Sequence, residues 1–261
     1  MQIYTKVLKN NLTQKLFNLR DIDSVNIFGL NISKISYEEF LVYIESSISG
    51  KVKRVIGYAN ADTLNKINKY EQLKDIFSGF DLIHPDGIGV FLASGLLKGK
   101  EGLKVRFTGS DIYPVLIDRS IENNWSYFFF GHSAKILDSI SARYPDLRIA
   151  GIHEGYNFET DEVIEKINKA RPDILIIGLS CPKQEFWISE NKDKLNFKTA
   201  LLVGDGIRIF ADKKIRGPVL IREIGFEWVI RYFTNPIRNF RKYIIGVPLF
   251  IFKVLKLKIK P

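Results

Sequence analysis

The chain has 261 residues, 46% hydrophobic and 26% charged, a composition that suits one large core or a core with a small appendage. Its single cysteine, Cys181, excludes an intramolecular disulfide and fits a reducing, cytosolic compartment; with three scattered histidines (His84, His132, His153), no spacing resembles a metal-ligand set. The net charge of +10 sits in one place: residues 213–261 hold twelve Lys/Arg against two acids, Glu223 and Glu227, and the remainder balances to zero.

Met1 to Arg20 is polar and dotted with lysines. It lacks the apolar centre of a signal peptide, so secretion is not expected. No stretch reaches the ~18–20 apolar residues of a membrane-spanning helix. Asp21-Ile22-Asp23 fits the Asp-x-Asp pattern that holds a metal in many glycosyltransferases. It precedes the first strand, and a three-residue pattern recurs by chance, so it is discounted.

From there strands and helices alternate. Val25–Phe28 is a strand candidate. Ser36 to Glu39 is a capping box that opens a helix with Phe40, Leu41, Tyr43 and Ile44 facing inward. Lys53–Tyr58 reads as a strand, Asp62–Phe77 as one helix or two short ones, Asp81–His84 as a strand and Gly87–Leu97 as a helix. Next come a helix over Asp111–Asn123, a strand over Ser126–Phe130, a helix over Ala134–Arg143, a strand over Leu147–Ile152 and a helix over Thr160–Ala170. Asp173–Gly178 is a continuous apolar strand, the mark of a parallel sheet covered on both faces. A helix follows with Pro182 at its first position, then a last strand over Thr199–Val203. The fold class expected is α/β: a Rossmann-like, mostly parallel sheet with helices on both faces, its catalytic body spanning 1–212.

Residues 213–261 change character and form a basic, helical appendage. Helices are expected over Val219–Phe233 and from Pro236 onward, with Pro248 as an interruption. There Arg231, Arg238 and Lys242 share a face. Ile244, Ile245, Val247 and residues 249–252 make an apolar patch, followed by Lys253, Lys256, Lys258 and Lys260. Basic residues around aliphatic and aromatic ones describe a segment lying in a membrane interface. The competing readings are a core-packing helix with a solvated tip and a nucleic-acid contact. No nucleic-acid module is recognisable, and nucleic acid is not an expected partner.

In an open parallel sheet, ligands bind beyond the carboxyl ends of the strands. Asn60 follows one such end and serves either as a helix cap or as a substrate contact. Asp86 follows another, between Pro85 and Gly87, as a turn residue or as a general base. After Gly178, the free N–H groups of the helix start at Pro182 suit a diphosphate, and Gln184 could bind ribose, base or sugar. Cys181 reads as inert. Gly204 and Gly206 admit a tight turn or a close backbone approach to a ligand. Arg106 precedes a helix and could neutralise leaving-group phosphate.

Taken together these segments resemble the WecG/TagA/CpsF family of bacterial glycosyltransferases. The likeness runs in order through Asn60, Asp81 to Val90, Arg106 to Asp111, Phe129 to Gly131, Tyr144 to Arg148, Gly155-Tyr156, Gly178 with Pro182 to Glu185, Arg216-Gly-Pro218, Gly225 to Trp228, Arg231 and Pro236 to Arg238. It covers about residues 25 to 243. Departures are Tyr58-Ala59 before the asparagine, the charged loop from Gly204 to Arg208, Ala211-Asp212, and glycine at 217.

The resemblance implies an inverting, metal-independent enzyme without a cofactor. Its donor would be a UDP-sugar of the N-acetylmannosamine type, and its acceptor a sugar on undecaprenyl diphosphate. It implies Asp86 as base and Arg106 as catalytic arginine. Asn60, Gln184, Gly178, Pro182 and Gly204 would belong to the substrate pocket, and Arg216, Arg222 and Arg231 would contact phosphate. It also implies peripheral attachment to the cytoplasmic face of the membrane, with self-association open. A non-catalytic nucleotide-sugar binding protein is the alternative.

Overall fold

The computed structural model describes residues 22–67, 69–213, 217–218, 227–234 and 236–259. The chain opens with an antiparallel hairpin, β1 (Ser24–Ile27) and β2 (Leu30–Ser33). The second strand was not anticipated; Phe28 and Gly29 turn the chain with φ of 55° and 80°. Helix α1 (Tyr37–Ser49) starts at the expected capping box, Ser36 accepting from the Glu39 N–H and Glu39 accepting from the Ser36 N–H.

The body then alternates β3 (Arg54–Ala59), α2 (Ala61–Ile67), α3 (Glu71–Ser78), β4 (Leu82–Pro85), α4 (Ile88–Lys98), α5 (Gly109–Glu122), β5 (Tyr127–Gly131), α6 (Ala134–Arg143), β6 (Ile149–His153), α7 (Thr160–Ala170), β7 (Ile174–Gly178), α8 (Lys183–Asn191), β8 (Thr199–Leu202) and α9 (Ile207–Phe210). Pro182 stands just before α8 rather than inside it.

Six strands form one parallel sheet in the order β4-β3-β8-β7-β5-β6. Because side chains alternate along a strand, each strand feeds two cores. Tyr127, Phe129, Ile174, Ile176 and Leu201 pack on one face under α1, α5, α6 and α9. Phe128, Phe130, Leu175, Ile177 and Leu202 pack on the other, under α7 and α8. A third cluster lies at the β4 edge, where the hairpin meets α2, α3 and α4.

The basic tail supplies α10 (Glu227–Thr234), α11 (Pro236–Phe240), a π turn over Arg241–Ile245 and α12 (Gly246–Ile259). Pro248 does not interrupt this run. It sits in the first turn of α12, where its missing N–H costs little. The ring would crowd the carbonyl four residues back, Ile244, and that residue lies in the widened π turn. Helix α12 packs onto the third cluster: Phe250 and Val254 are buried in it, and Phe250 meets Phe28 edge-to-face at 5.9 Å. The Asn65 side chain of α2 donates to the Gly246 carbonyl at 2.8 Å.

Candidate active site

A cavity of about 440 Å³ opens where β3 and β4 end, between α4 and the tail. Its polar side comes from Asn60 and Asp62 at the start of α2, Asp86, and the loop carrying Arg106, Thr108 and Ser110. The tail closes it with Glu227, Trp228, Lys242 and Tyr243, and α12 adds an aliphatic wall.

Asp86 is held at this point by its neighbours. Its own N–H donates to the Ala59 carbonyl at 2.8 Å, continuing the β3–β4 ladder past the strand end. Gly87, at φ 92°, turns the chain there into α4, and its N–H donates to the Phe107 carbonyl at 2.9 Å. One carboxylate oxygen accepts from the Gly109 N–H at 3.1 Å and the other from the Asn60 side-chain amide at 3.4 Å. These two contacts orient the Asp86 carboxylate.

Asn60 is the helix cap that its position allows, and it also touches Asp86. Its Oδ1 caps α2, accepting from the Thr63 N–H at 3.0 Å, while its Nδ2 reaches Asp86. The cap fixes the side chain, and the fixed side chain orients the carboxylate. Arg106 is positioned by a small network. The Tyr37 hydroxyl donates to the Arg106 carbonyl at 3.2 Å and accepts from the Thr108 N–H at 3.2 Å. Thr108 caps α5, and the Arg106 guanidinium lies 3.9 Å from Asp111.

Four titratable groups lie close by, and burial shifts each of them toward its neutral form. Burial pushes the Tyr58 and Tyr113 phenols well above their ordinary value, so neither supplies a base near neutrality. His84 is buried among Phe40, Tyr58 and Phe107, and burial lowers its pKa, keeping the ring neutral. The Cys181 thiol is likewise driven upward by burial, which leaves no thiolate nucleophile. Asp86 is a carboxylate that faces the cavity at a strand end and is held in place there by Gly109 and Asn60.

The expected residues after β7 and β8 lie elsewhere. Gln184 is 0% exposed and does not line the cavity. Its Oε1 accepts from the Gly204 N–H at 3.0 Å and its Nε2 donates to Glu185 at 2.8 Å. Gly204, at φ 52°, brings its Cα against the Tyr58 hydroxyl, where a Cβ would lie at 2.7 Å. Gly178 is equally tight, with a Cβ position 2.7 Å from Ile207. Gln184, Gly178 and Gly204 are thus tightly packed at or just past the ends of β7 and β8, and β8 is the sheet neighbour of β3. Lys66 joins the two regions, donating to Asp62 at 2.8 Å and to the Cys181 carbonyl at 3.0 Å.

Arg216 and Arg222 lie outside the described residues, and of Arg231 only the backbone, in α10, is described. Asp23, from the discounted Asp-x-Asp, pairs with Lys34 at 2.7 Å, away from the cavity. Among the described residues, no group of three or more His, Cys, Asp or Glu is arranged to hold a metal ion. The sequence did not reveal Leu92, Leu96, Trp228 or Val247 as cavity residues. Leu92, Leu96 and Val247 gave only apolar spacing and Trp228 only its place in the family-like run, and neither says that three separate helices meet at one cavity.

Known proteins share this chain's pattern. A protein from Bacillus spizizenii called N-acetylglucosaminyldiphosphoundecaprenol N-acetyl-beta-D-mannosaminyltransferase is 31% identical over 185 residues, 69% of this chain and 70% of that protein. A Staphylococcus aureus protein of the same name is 27% identical over 242 residues, 90% of this chain and 94% of its own. Residues 25–261 match the model of the glycosyl transferase WecG/TagA/CpsF family, and the chain belongs to that family of glycosyltransferases.

Proposed function

We propose that this glycosyltransferase moves an N-acetylmannosamine-type sugar, or a related hexose, from a UDP donor to a sugar on a polyprenyl-diphosphate carrier. The product would enter a bacterial cell-surface polysaccharide or teichoic acid. The observation that carries the reading is Asp86, an oriented carboxylate at a strand end, facing a cavity that also holds Arg106 and Lys242. The printed names of the relatives support the donor sugar and the acceptor class.

The steps follow from simple chemistry. Asp86 takes the proton from an acceptor hydroxyl as that oxygen attacks the anomeric carbon. The new glycosidic bond forms as the bond to UDP breaks on the opposite side, so the anomeric configuration inverts. The departing diphosphate gains negative charge. Arg106, Lys242 and arginines of the tail are the groups assigned to neutralise it, in place of a metal.

The same reading keeps the enzyme on the cytoplasmic face of the membrane as a peripheral protein. Among the described residues no helix is long and apolar enough to cross a bilayer. Helix α12 presents Phe252, 64% exposed, with Leu257 and Ile259 to solvent, interspersed with Lys253, Lys256 and Lys258. Aliphatic insertion plus lysine attraction to anionic lipid is how an interfacial helix binds.

The test is a donor screen. The protein is incubated with a panel of UDP-sugars and a lipid-diphosphate-linked N-acetylglucosamine, and products are identified by mass. One UDP-sugar should yield a disaccharide-lipid of inverted anomeric configuration. Absence of product with every donor, from protein that is folded and binds UDP, would overturn the proposal in favour of a non-catalytic nucleotide-sugar binder.

A further inference from the structure

The cavity has two chemically unlike halves. The cations Arg106 and Lys242 belong to the polar one, with the carboxylates Asp62, Asp86 and Glu227 around them. The other is aliphatic, with Leu92 and Leu96 of α4 facing Val247 and Ile251 of α12. Each pair is spaced by four residues, so each forms a stripe about 6 Å long on one helix face. The stripe on α12 continues at the same spacing to Leu255 and Ile259, both exposed. Leu92 is 61% exposed and Ile251 51%, so this wall runs out of the cavity onto the surface. The two helices are held together beneath it, with Phe250 and Val254 of α12 in one buried cluster with Val90 and Ala93 of α4.

A nucleotide or a sugar gains nothing from such a wall. Its hydroxyls and phosphates would lose water there without finding hydrogen-bond partners. The wall suits a ligand that carries a hydrocarbon chain directly behind a charged head, because the cations and the aliphatic stripes share one chamber. The chain would leave the cavity along the α12 stripe, toward the exposed apolar end of the helix.

We propose that the cleft between α4 and α12 is a binding subsite for the first isoprene units of a polyprenyl-diphosphate acceptor. The diphosphate would lie at the boundary, beside Arg106 and Lys242. This rests on the transferase reading above and details how its acceptor is held. In this arrangement the carrier lipid is recognised by the protein as well as by the membrane. Specificity for a lipid-linked acceptor then resides in Leu92, Leu96, Val247 and Ile251.

The full chain is titrated calorimetrically, without detergent, with farnesyl diphosphate below its aggregation concentration and with inorganic diphosphate. Wild-type protein should bind farnesyl diphosphate at least about tenfold more tightly, because several methylene and methyl groups leave water. Leu96→Ser and Ile251→Ser should each remove most of that difference and leave the affinity for inorganic diphosphate unchanged. Val115→Ser, an exposed apolar position on α5 outside the cavity, should keep the full difference.

Equal affinity of wild-type protein for the two ligands overturns the subsite. So does an equal loss in all three variants, or chain binding that appears only with dimer formation. The two readings fail separately. Farnesyl diphosphate bound at the cleft, with no transfer from any UDP-sugar, sinks the transferase proposal and leaves the subsite standing. Transfer without any chain-dependent binding does the reverse.

Discussion

Gln184 separates a structural role from a substrate contact most sharply. Its side chain is fully buried, and both ends are used. Truncation in Gln184→Ala leaves the Gly204 N–H without its acceptor in a buried turn, which costs about 1–3 kcal/mol. Glu185 loses the donor on its Oε1, worth about 1 kcal/mol more. A cavity of roughly the volume of the lost amide adds to this, giving on the order of 3–5 kcal/mol in all. For a chain of this size about 1 kcal/mol moves Tm by about 2–4 °C, so the expected drop is on the order of 10 °C.

The assay is thermal unfolding of wild type, Gln184→Ala and Gln184→Met. Methionine refills the volume and restores neither hydrogen bond, so it should recover only the cavity part. A surface residue that contacts donor would behave differently: Tm would stay within about 1 °C and only the donor KM would rise. That second pattern would refute the reasoning from burial.

Asp86→Asn should lower transfer by about 10²–10⁴-fold while UDP affinity holds. The amide oxygen still accepts from the Gly109 N–H and only the 3.4 Å contact with Asn60 is lost, so Tm should fall by a few degrees at most. Turnover above one tenth of wild type would remove Asp86 as the base. Burial holds the Glu185 carboxyl above its ordinary value of 4.5, so the native state keeps a proton that the unfolded chain releases. This contribution is complete below the unfolded value and is lost as pH rises through the folded one. Glu185→Gln should therefore gain in Tm relative to wild type as pH rises from about 5 to 8, and a pH-independent difference would contradict the assignment. Gly204→Ala places a Cβ at a left-handed φ and 2.7 Å from the Tyr58 hydroxyl. It should destabilise by at least about 1 kcal/mol, with part recovered in the double variant with Tyr58→Phe, as read by denaturant unfolding.

The sheet was legible because its signals are local. Asp173–Gly178 is apolar on both faces, and only a strand covered on both sides reads that way. Helices over Ala134–Arg143 and Thr160–Ala170 match their expected bounds, since polar and apolar residues alternate there at helical spacing. Asp86 and Asn60 line one cavity, as their places at strand ends suggest, because strand ends in a parallel sheet converge. The hairpin partner Leu30–Ser33 escaped notice because it is four residues long and its turn, Phe28-Gly29, carries an aromatic at positive φ. Gln184 was misplaced for a physical reason as well. A polar residue in the first turn of a helix ordinarily faces solvent, and only the fold reveals that Gly204 from β8 supplies its partner.

The tail shows most clearly what composition leaves undecided. Its charge and apolar content suggested an interfacial segment, and an apolar face says nothing about what it touches. In α12 one apolar face serves two purposes. Phe250 and Val254 bury against the hairpin, α2 and α4 and also line the cavity that contains Asp86, and Val247 and Ile251 beside them extend its wall. Lys242, one turn earlier, reaches the same cavity. Detaching the π turn together with α12 would therefore remove the Lys242 cation and an aliphatic wall from around Asp86 in a single event. Under the proposed function, any surface that orders α12 also completes the site, so transfer and membrane contact are coupled by packing without a separate switch. A membrane-dependent rise in turnover should then survive replacement of Lys253, Lys256 and Lys258 by glutamine only at high lipid concentration, when mass action restores the contact. Turnover that ignores lipid altogether, in wild type and triple variant alike, would break this coupling.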